Sequence, residues 1–157
     1  MFEDKERLLL TELIWDGRQK IVTLAKKCGI TRQSVYRKLD EFRRKGVQFT
    51  VDFDPKEIGL RIRAYILIVA EPETEFRKET NEIVKNFKEI SQIHYLLGRF
   101  DLILEVIVRD IDELRGLLRK IQNLPAVQKT ETLMVYETTK LNLKEPLIRI
   151  LGGHATH

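Results

Sequence analysis

Leu24-Ala25-Lys26-Lys27-Cys28-Gly29-Ile30-Thr31-Arg32-Gln33-Ser34-Val35-Tyr36-Arg37-Lys38-Leu39 reads as two short helices around a tight turn. Gly29 stands where the first helix must stop, because glycine adopts the left-handed conformation without a Cβ clash. Thr31 is placed to cap the second helix through its hydroxyl. Ala25 is small, so the two helices can approach closely. Val35, Leu39 and Phe42 recur at i, i+4, i+7 and predict one inward stripe. Arg32, Gln33, Tyr36, Arg37 and Arg43 fall on the other side. One face packs while the other offers base-edge donors and phosphate-binding cations, which is the layout of a helix-turn-helix. An ordinary helical hairpin with a solvated basic face shares that pattern, and charge separates the two readings. Between Arg18 and Lys45 stand ten basic residues and only two acidic ones, Asp40 and Glu41. From Arg61 onward the charges nearly balance, so the excess is local, the electrostatic footprint of a polyanionic partner.

Upstream, a helix is expected from about Asp4 to Trp15, with Asp4 as N-cap, Leu9, Leu10, Leu13 and Ile14 inward, and Asp16-Gly17 as its stop. Trp15 reads as a packing residue. The turn motif then predicts helices over 21–28 and 32–45, the last closed by Gly46. Val47-Gln48-Phe49-Thr50-Val51-Asp52-Phe53 alternates apolar with polar and predicts a half-buried strand ended by Asp54-Pro55. Three helices and a strand make a winged-type arrangement. The expected organisation is a helix-turn-helix domain over 1–46, a strand and linker over 47–61, a second domain over 62–140 and a C-terminal tail over 141–157.

The second domain repeats a pattern. Arg63 to Ala70 is a continuous β-rich apolar run, the mark of a central strand. A helix follows from Glu73 to Phe87, with Phe76, Ile83 and Phe87 on one face and Glu71, Glu73, Glu75, Glu79 and Glu82 solvated. Strands are predicted over 90–97 and 102–108, joined by the turn Gly98-Arg99-Phe100-Asp101. A second helix over 111–123 carries Leu114, Leu117, Leu118 and Ile121 inward, and a last strand runs over 127–136. The order β-α-β-β-α-β is ferredoxin-like, and the fold class is α+β. Both helices then cover one sheet face. Strands this apolar rarely leave the other face bare, so a dimer formed sheet to sheet is expected.

Composition bounds the function. The chain has 157 residues, a net charge of +4 and one cysteine. No apolar run approaches the roughly 18 residues of a membrane span. The charged N-terminus lacks a signal-peptide pattern. A single cysteine agrees with a reducing compartment, so a cytoplasmic location away from membranes is expected. Cys28 reads as a buried structural thiol. His94 has no second ligand nearby, and His154 and His157 read as a frayed, solvated tail, so no metal site is expected. No phosphate-cradling glycine loop and no nucleophile–base pattern occurs, so neither a cofactor nor an enzyme activity is expected.

Several separated anchors together resemble the leucine-responsive regulatory protein/AsnC family, the feast/famine regulators. They are Leu24-Ala25, Gly29-Ile30-Thr31, Val35, Leu39, Phe42 and Gly46 in the turn motif; Asp54-Pro55 with Ile58-Gly59 in the linker; Gly98-Arg99-Phe100-Asp101; and Leu124-Pro125-Ala126-Val127 with Thr130-Glu131-Thr132. The resemblance covers about Glu6 to Lys140. It implies a transcriptional regulator that binds double-stranded DNA through its N-terminal domain. It also implies a small effector, typically an amino acid, held between dimers near the Gly-x-aromatic-Asp turn, and homodimers assembling into tetramers, octamers or larger rings. Carried over, Gly98, Arg99 and Asp101 line the effector site, with Thr130 and Thr132 on the last strand. Two departures stand out. The family's glycine after Gly46 is missing from Val47-Gln48-Phe49-Thr50-Val51, which predicts a stiffer hinge. Arg99 replaces a commoner small or acidic residue; its guanidinium favours a carboxylate, either of an effector, of Asp101 or of a neighbouring dimer.

The candidate DNA contacts are Arg32, Gln33, Tyr36 and Arg37 in the major groove, Lys26, Lys27, Lys38, Arg43 and Arg44 on phosphates, and Thr31 and Ser34 at the start of the second helix. Asp101 has two readings: acceptor for an effector's ammonium, or cap of the turn through backbone N–H groups. Two competing functions remain. One is an architectural, nucleoid-type DNA-binding protein of low sequence preference. The other is an enzyme resembling the tetrapyrrole-decarboxylase branch of the superfamily, against which stand the dense basic helix and the absence of a His-rich pocket.

Overall fold

The computed structural model describes residues 2–72 and 75–152, without the side chains of Phe76 and Arg77. The chain divides into two compact units. One runs from Phe2 to Val51 and takes in the described residues from Thr139 on; the other spans Asp52–Thr138.

In the first unit, α1 (Asp4–Trp15), α2 (Ile21–Cys28) and α3 (Arg32–Arg44) form as predicted to within a residue. Leu9, Leu10, Leu24, Ala25, Cys28, Val35 and Phe42 make its core, with Leu13, Ile21, Ile30 and Leu39 packed against it. Burial pushes the Cys28 thiol up, as suits an inert core group. The cap of α1 is not Asp4. Glu3 is the N-cap, and the Glu6 carboxylate reaches back to accept its N–H at 2.9 Å. That carboxylate is almost wholly buried, and Oε1 lies 3.3 Å from Lys45 Nζ and 3.7 Å from Lys38 Nζ. Beside it the Phe2 ring meets Phe42 edge-on at 5.6 Å. The start of α1 is thereby tied to α3 by an apolar and an ionic contact.

The predicted strand over 47–53 does not form, nor does a wing: these residues are irregular. A strand forms only where it pairs with an edge, and among the described residues these pair with none. Phe49, Val51 and Phe53, the apolar half of the alternation, are exposed. Residues left to the tail form a further helix, α6 (Lys144–Leu151), which packs on α1 through buried Ile148 and half-buried Leu151. Arg7 donates from Nη2 to the Ile150 carbonyl, beside an open groove of about 380 Å³ lined by Asp4, Arg7, Leu8, Thr11, Leu151 and Gly152. His154 and His157 lie outside the described residues, as does Glu73.

The second unit opens with a single 3-10 turn, Pro55–Ile58. Asp54 caps it, accepting the Lys56 N–H at 3.0 Å, and Gly59 closes it at φ 88°. There follow β1 (Ile62–Ala70), α4 (Glu75–Lys85), β2 (Ile90–Tyr95), β3 (Leu102–Val108), α5 (Ile111–Gln122) and β4 (Val127–Met134). The sheet is antiparallel in the order β2-β3-β1-β4, the ferredoxin-like arrangement. β1 alternates: Ala64, Ile66, Ile68 and Ala70 are buried with Leu102, Leu104, Val106 and Val108 of β3 beneath Leu114, Leu117 and Ile121 of α5 and Val84 of α4. β2 and β4 stop two residues short of the expected ends, leaving Leu97 and Tyr136 exposed. The inward stripe of α4 also differs, with Thr80 and Val84 buried and Ile83 and Phe87 half-buried. The predicted Phe76 contact lies outside the described side chains.

Thr80 Oγ1 is buried with no hydrogen-bond partner among the described residues. A hydroxyl removed from water without a partner opposes folding, so Thr80→Val should raise stability by about 1 kcal/mol, read from the denaturant midpoint. The Glu6 carboxyl is held below its ordinary value of 4.5, first by the Glu3 N–H and then by Lys45 and Lys38, against the opposing effect of burial. A lowered folded-state value gives stability that is present above 4.5 and lost as pH falls through the folded value. Thermal unfolding of the N-terminal unit should therefore drop on acidification below 4.5, and less steeply in Glu6→Gln; equal slopes would contradict this.

Candidate nucleic-acid interface and ligand turn

The turn between α2 and α3 is built by Gly29, at φ 59° and ψ 41°, a conformation a Cβ would strain. Its neighbour Ile30 donates its N–H to the Ala25 carbonyl at 3.0 Å, closing the end of α2. Thr31 Oγ1 then accepts the Ser34 N–H at 3.1 Å, and the two hydroxyls stand 2.9 Å apart. Both side chains are thus committed to starting α3.

With Val35 and Phe42 fully buried, the helix turns Arg32, Gln33, Tyr36 and Arg37 to solvent. Arg37 keeps a loose i, i+4 contact with Glu41 at 3.8 Å, and Arg43 an i, i+3 contact with Asp40 at 3.3 Å. Both side chains remain about two-thirds exposed, and such surface pairs yield readily to a stronger anion. Arg43 also lies 5.8 Å over the Phe49 ring. Lys26 and Arg44 are exposed. Lys27 is partly engaged: its ammonium holds Glu12 of α1, which keeps that carboxyl below its usual range.

Lys38 does not share the exposure of the other candidate phosphate contacts. Its side chain is only 10% exposed and faces Glu6 and, at 3.8 Å, Glu3. The sequence carried the signal, because Val35, Lys38, Phe42 and Lys45 follow one another at 3, 4 and 3 residues, the spacing of a packed stripe.

In the second unit, Gly98, Arg99 and Asp101 share the turn between β2 and β3. Asp101 Oδ2 accepts the Ala70 N–H at 2.9 Å, the Asp101 N–H donates to the Ile68 carbonyl, and its carbonyl accepts from Leu96. Asp101 thus braces the end of β1 against the hairpin by accepting a backbone N–H from β1. Arg99 stacks 4.6 Å over Phe100 and pairs not with Asp101 but with Glu131 of β4, at 3.1 Å. Thr130 and Thr132 are not gathered at this pair. They sit opposite Ile68 and Ile66, on the helix-covered face, where Thr130 Oγ1 accepts from Gln122 of α5 at 2.9 Å. Side chains alternate along a strand, so Glu131 between them points the other way.

The family model for the Lrp/AsnC ligand-binding domain matches residues 63–144. The chain belongs to the Lrp/AsnC family of transcriptional regulators. A helix-turn-helix-type transcriptional regulator of Pyrococcus horikoshii is 30% identical over 139 residues, covering 86% of this chain and 93% of that one. The regulatory protein AsnC of Escherichia coli is 23% identical over 154 residues, 96% of each chain. The solved E. coli AsnC structure superposes with a TM-score of 0.82, covering 90% of this chain and 97% of that one at 23% identity. The regulator NMB0573 of Neisseria meningitidis, solved as an L-Met complex, gives 0.85 at 19% identity and covers 96% and 99%. These likenesses match the α+β fold described above, a helix-turn-helix followed by a ferredoxin-like unit. Among the described residues no helix is long and apolar enough to cross a membrane.

Asp101→Ala removes the carboxylate that anchors β1. The expected loss is about 1.5–3 kcal/mol, as for hydrogen bonds to charged groups, seen as a lowered unfolding midpoint. Asp101→Asn, which keeps an acceptor, should recover part of it.

Proposed function

We propose that this Lrp/AsnC chain reads double-stranded DNA with α3 and answers to a small effector at the Gly98–Asp101 turn. The observation that carries the reading is the outward face of α3. Arg32, Gln33, Tyr36 and Arg37 stand exposed on a helix whose opposite side is fully buried and whose start is fixed by Gly29 and Thr31. Arginine forks onto guanine and glutamine onto adenine in the major groove. Lys26, Arg43 and Arg44 supply phosphate contacts, with Lys27 assisting. In domain terms, residues 1–46 read DNA, 47–61 connect, and 62–140 bind effector and assemble. Two copies joined through the open sheet face present two reading helices to a palindromic site, and dimers join further into tetramers, octamers or rings, within the cytoplasm.

At the turn, Arg99 is exposed and held by a surface carboxylate, so an incoming carboxylate can exchange for Glu131. An amino acid offers that group, and a structural neighbour was solved with L-Met.

The test is a genomic DNA selection at fixed physiological salt with single amino acids present or absent, since phosphate binding falls steeply with salt. A shared palindromic motif whose occupancy shifts with one amino acid is expected. Binding without a motif would favour the architectural alternative. In the selected duplex, Arg37→Ala should lose about 1–3 kcal/mol and relax the preference at one position, whereas Lys26→Ala should weaken all sequences alike.

A further inference from the structure

Of the five basic residues of α3, Lys38 alone is buried. It lies one residue beyond Arg37 and two beyond Tyr36, on the flank between the reading face and the packed stripe. Its ammonium faces two carboxylates at the start of α1, the buried Glu6 Oε1 at 3.7 Å and the exposed Glu3 Oε2 at 3.8 Å. Glu6 is itself fixed by two further contacts: its Oε2 accepts the Glu3 N–H at 2.9 Å and its Oε1 faces Lys45 at 3.3 Å, with its side chain 4% exposed. Lys45, at the end of α3, lies 5.0 Å over the Phe2 ring.

The contacts that press α3 inward differ in kind. Val35, Leu39 and Phe42 are held by apolar burial, which is non-directional and tolerates a roll of the helix about its axis. A buried ion pair does not tolerate it, because separating the charges leaves each desolvated and unpaired. The Glu6 clamp touches α3 at two points seven residues apart, Lys38 and Lys45, so it opposes both roll and tilt.

We propose that Glu6 and Lys38 are positioning residues for DNA reading: their buried pair sets the rotation of α3 and thereby which side chains meet the bases. The inference rests on the assignment of α3 as the reading helix. It gives Lys38 a role opposite in kind to that of its exposed neighbours, since it acts on specificity without touching the polyanion.

The experiment measures affinity of the full chain for the duplex recovered in the selection and for a heterologous duplex, each over a salt series. Three variants are compared: Lys38→Met, Arg37→Ala, and the double replacement Glu6→Leu with Lys38→Met. The double replacement substitutes apolar groups for both charges and so retains the fold, checked by thermal unfolding. Lys38→Met should reduce the ratio of specific to heterologous affinity about tenfold, the scale of one lost base contact. Its slope of log affinity against log salt should stay that of the wild type, whereas loss of a phosphate contact lowers the slope by about 0.9. The double variant, shown by thermal unfolding to be folded at the assay temperature, should keep the specificity defect. A lowered slope in Lys38→Met with equal weakening on both duplexes overturns the proposal and returns Lys38 to the phosphate contacts. Wild-type specificity in the double variant overturns it too, leaving the pair a purely stabilising one. In either case Arg37→Ala still tests the reading helix separately. If that variant keeps full site preference, the assignment of α3 itself fails.

Discussion

A helix presents one side chain every hundred degrees, and α3 must meet three demands within that circle. Val35 and Phe42 fill the core of the N-terminal unit, Lys38 and Lys45 meet Glu6, and Arg32, Gln33, Tyr36 and Arg37 stay in solvent. None of these sectors can be widened without taking positions from another. That crowding explains why the turn before α3 leaves so little freedom. Gly29 sets the direction of entry, and both hydroxyls of Thr31 and Ser34 are spent on the first turn. A less constrained start would let the packed sector drift into the reading sector.

The sheet unit divides its roles by a period of two. Alternate residues of β1 and β3 enter the core under α4 and α5, and the intervening ones form the open face. The same alternation separates Thr130 and Thr132 from Glu131. The strand therefore offers the ligand turn a carboxylate, already engaged with Arg99, and not a pair of hydroxyls. Under the proposed function, an effector carboxylate would have to displace Glu131 from Arg99, and that competition would set a threshold below which the turn stays self-paired.

Legibility in the sequence followed the locality of the signal. The bounds of the first three helices, the Gly29 turn, the order of the ferredoxin-like elements and the turn at Gly98–Asp101 rest on neighbouring residues and were read to within a residue or so, whereas the cap of α1 and the ends of α4 were not. The strand over 47–53 was misread because alternation reports a chain's preference and not the presence of a partner edge. The burial of Lys38 was missed because charge was weighed before periodicity, although its spacing from Val35 and Phe42 matched the packed stripe. The helix at Lys144–Leu151 was missed although Ile148 and Leu151 stand at i, i+3. Its burial depends on α1, more than a hundred residues away in sequence. The partner of Arg99 could not be read, since it is set by the antiparallel register that brings β4 alongside β1.

The open sheet face carries one more consequence for the assembly proposed above. Amid half-buried Leu67, Val69, Ile103 and Ile107 stands Glu105, itself buried. Ser91 donates to its Oε2 at 2.6 Å, Tyr65 to its Oε1 at 3.4 Å, and Arg63 Nε lies 3.5 Å away. Burial and the adjacent carboxylate push the Tyr65 phenol up, so it remains a donor across the physiological range. The buried polar cluster around Glu105 thus finds its partners within the same chain. Covering such a face strips water from charges that are already matched, which is far less unfavourable than burying a lone one. The cluster therefore removes the main electrostatic obstacle to a sheet-to-sheet dimer, and leaves the surrounding apolar side chains to supply the attraction.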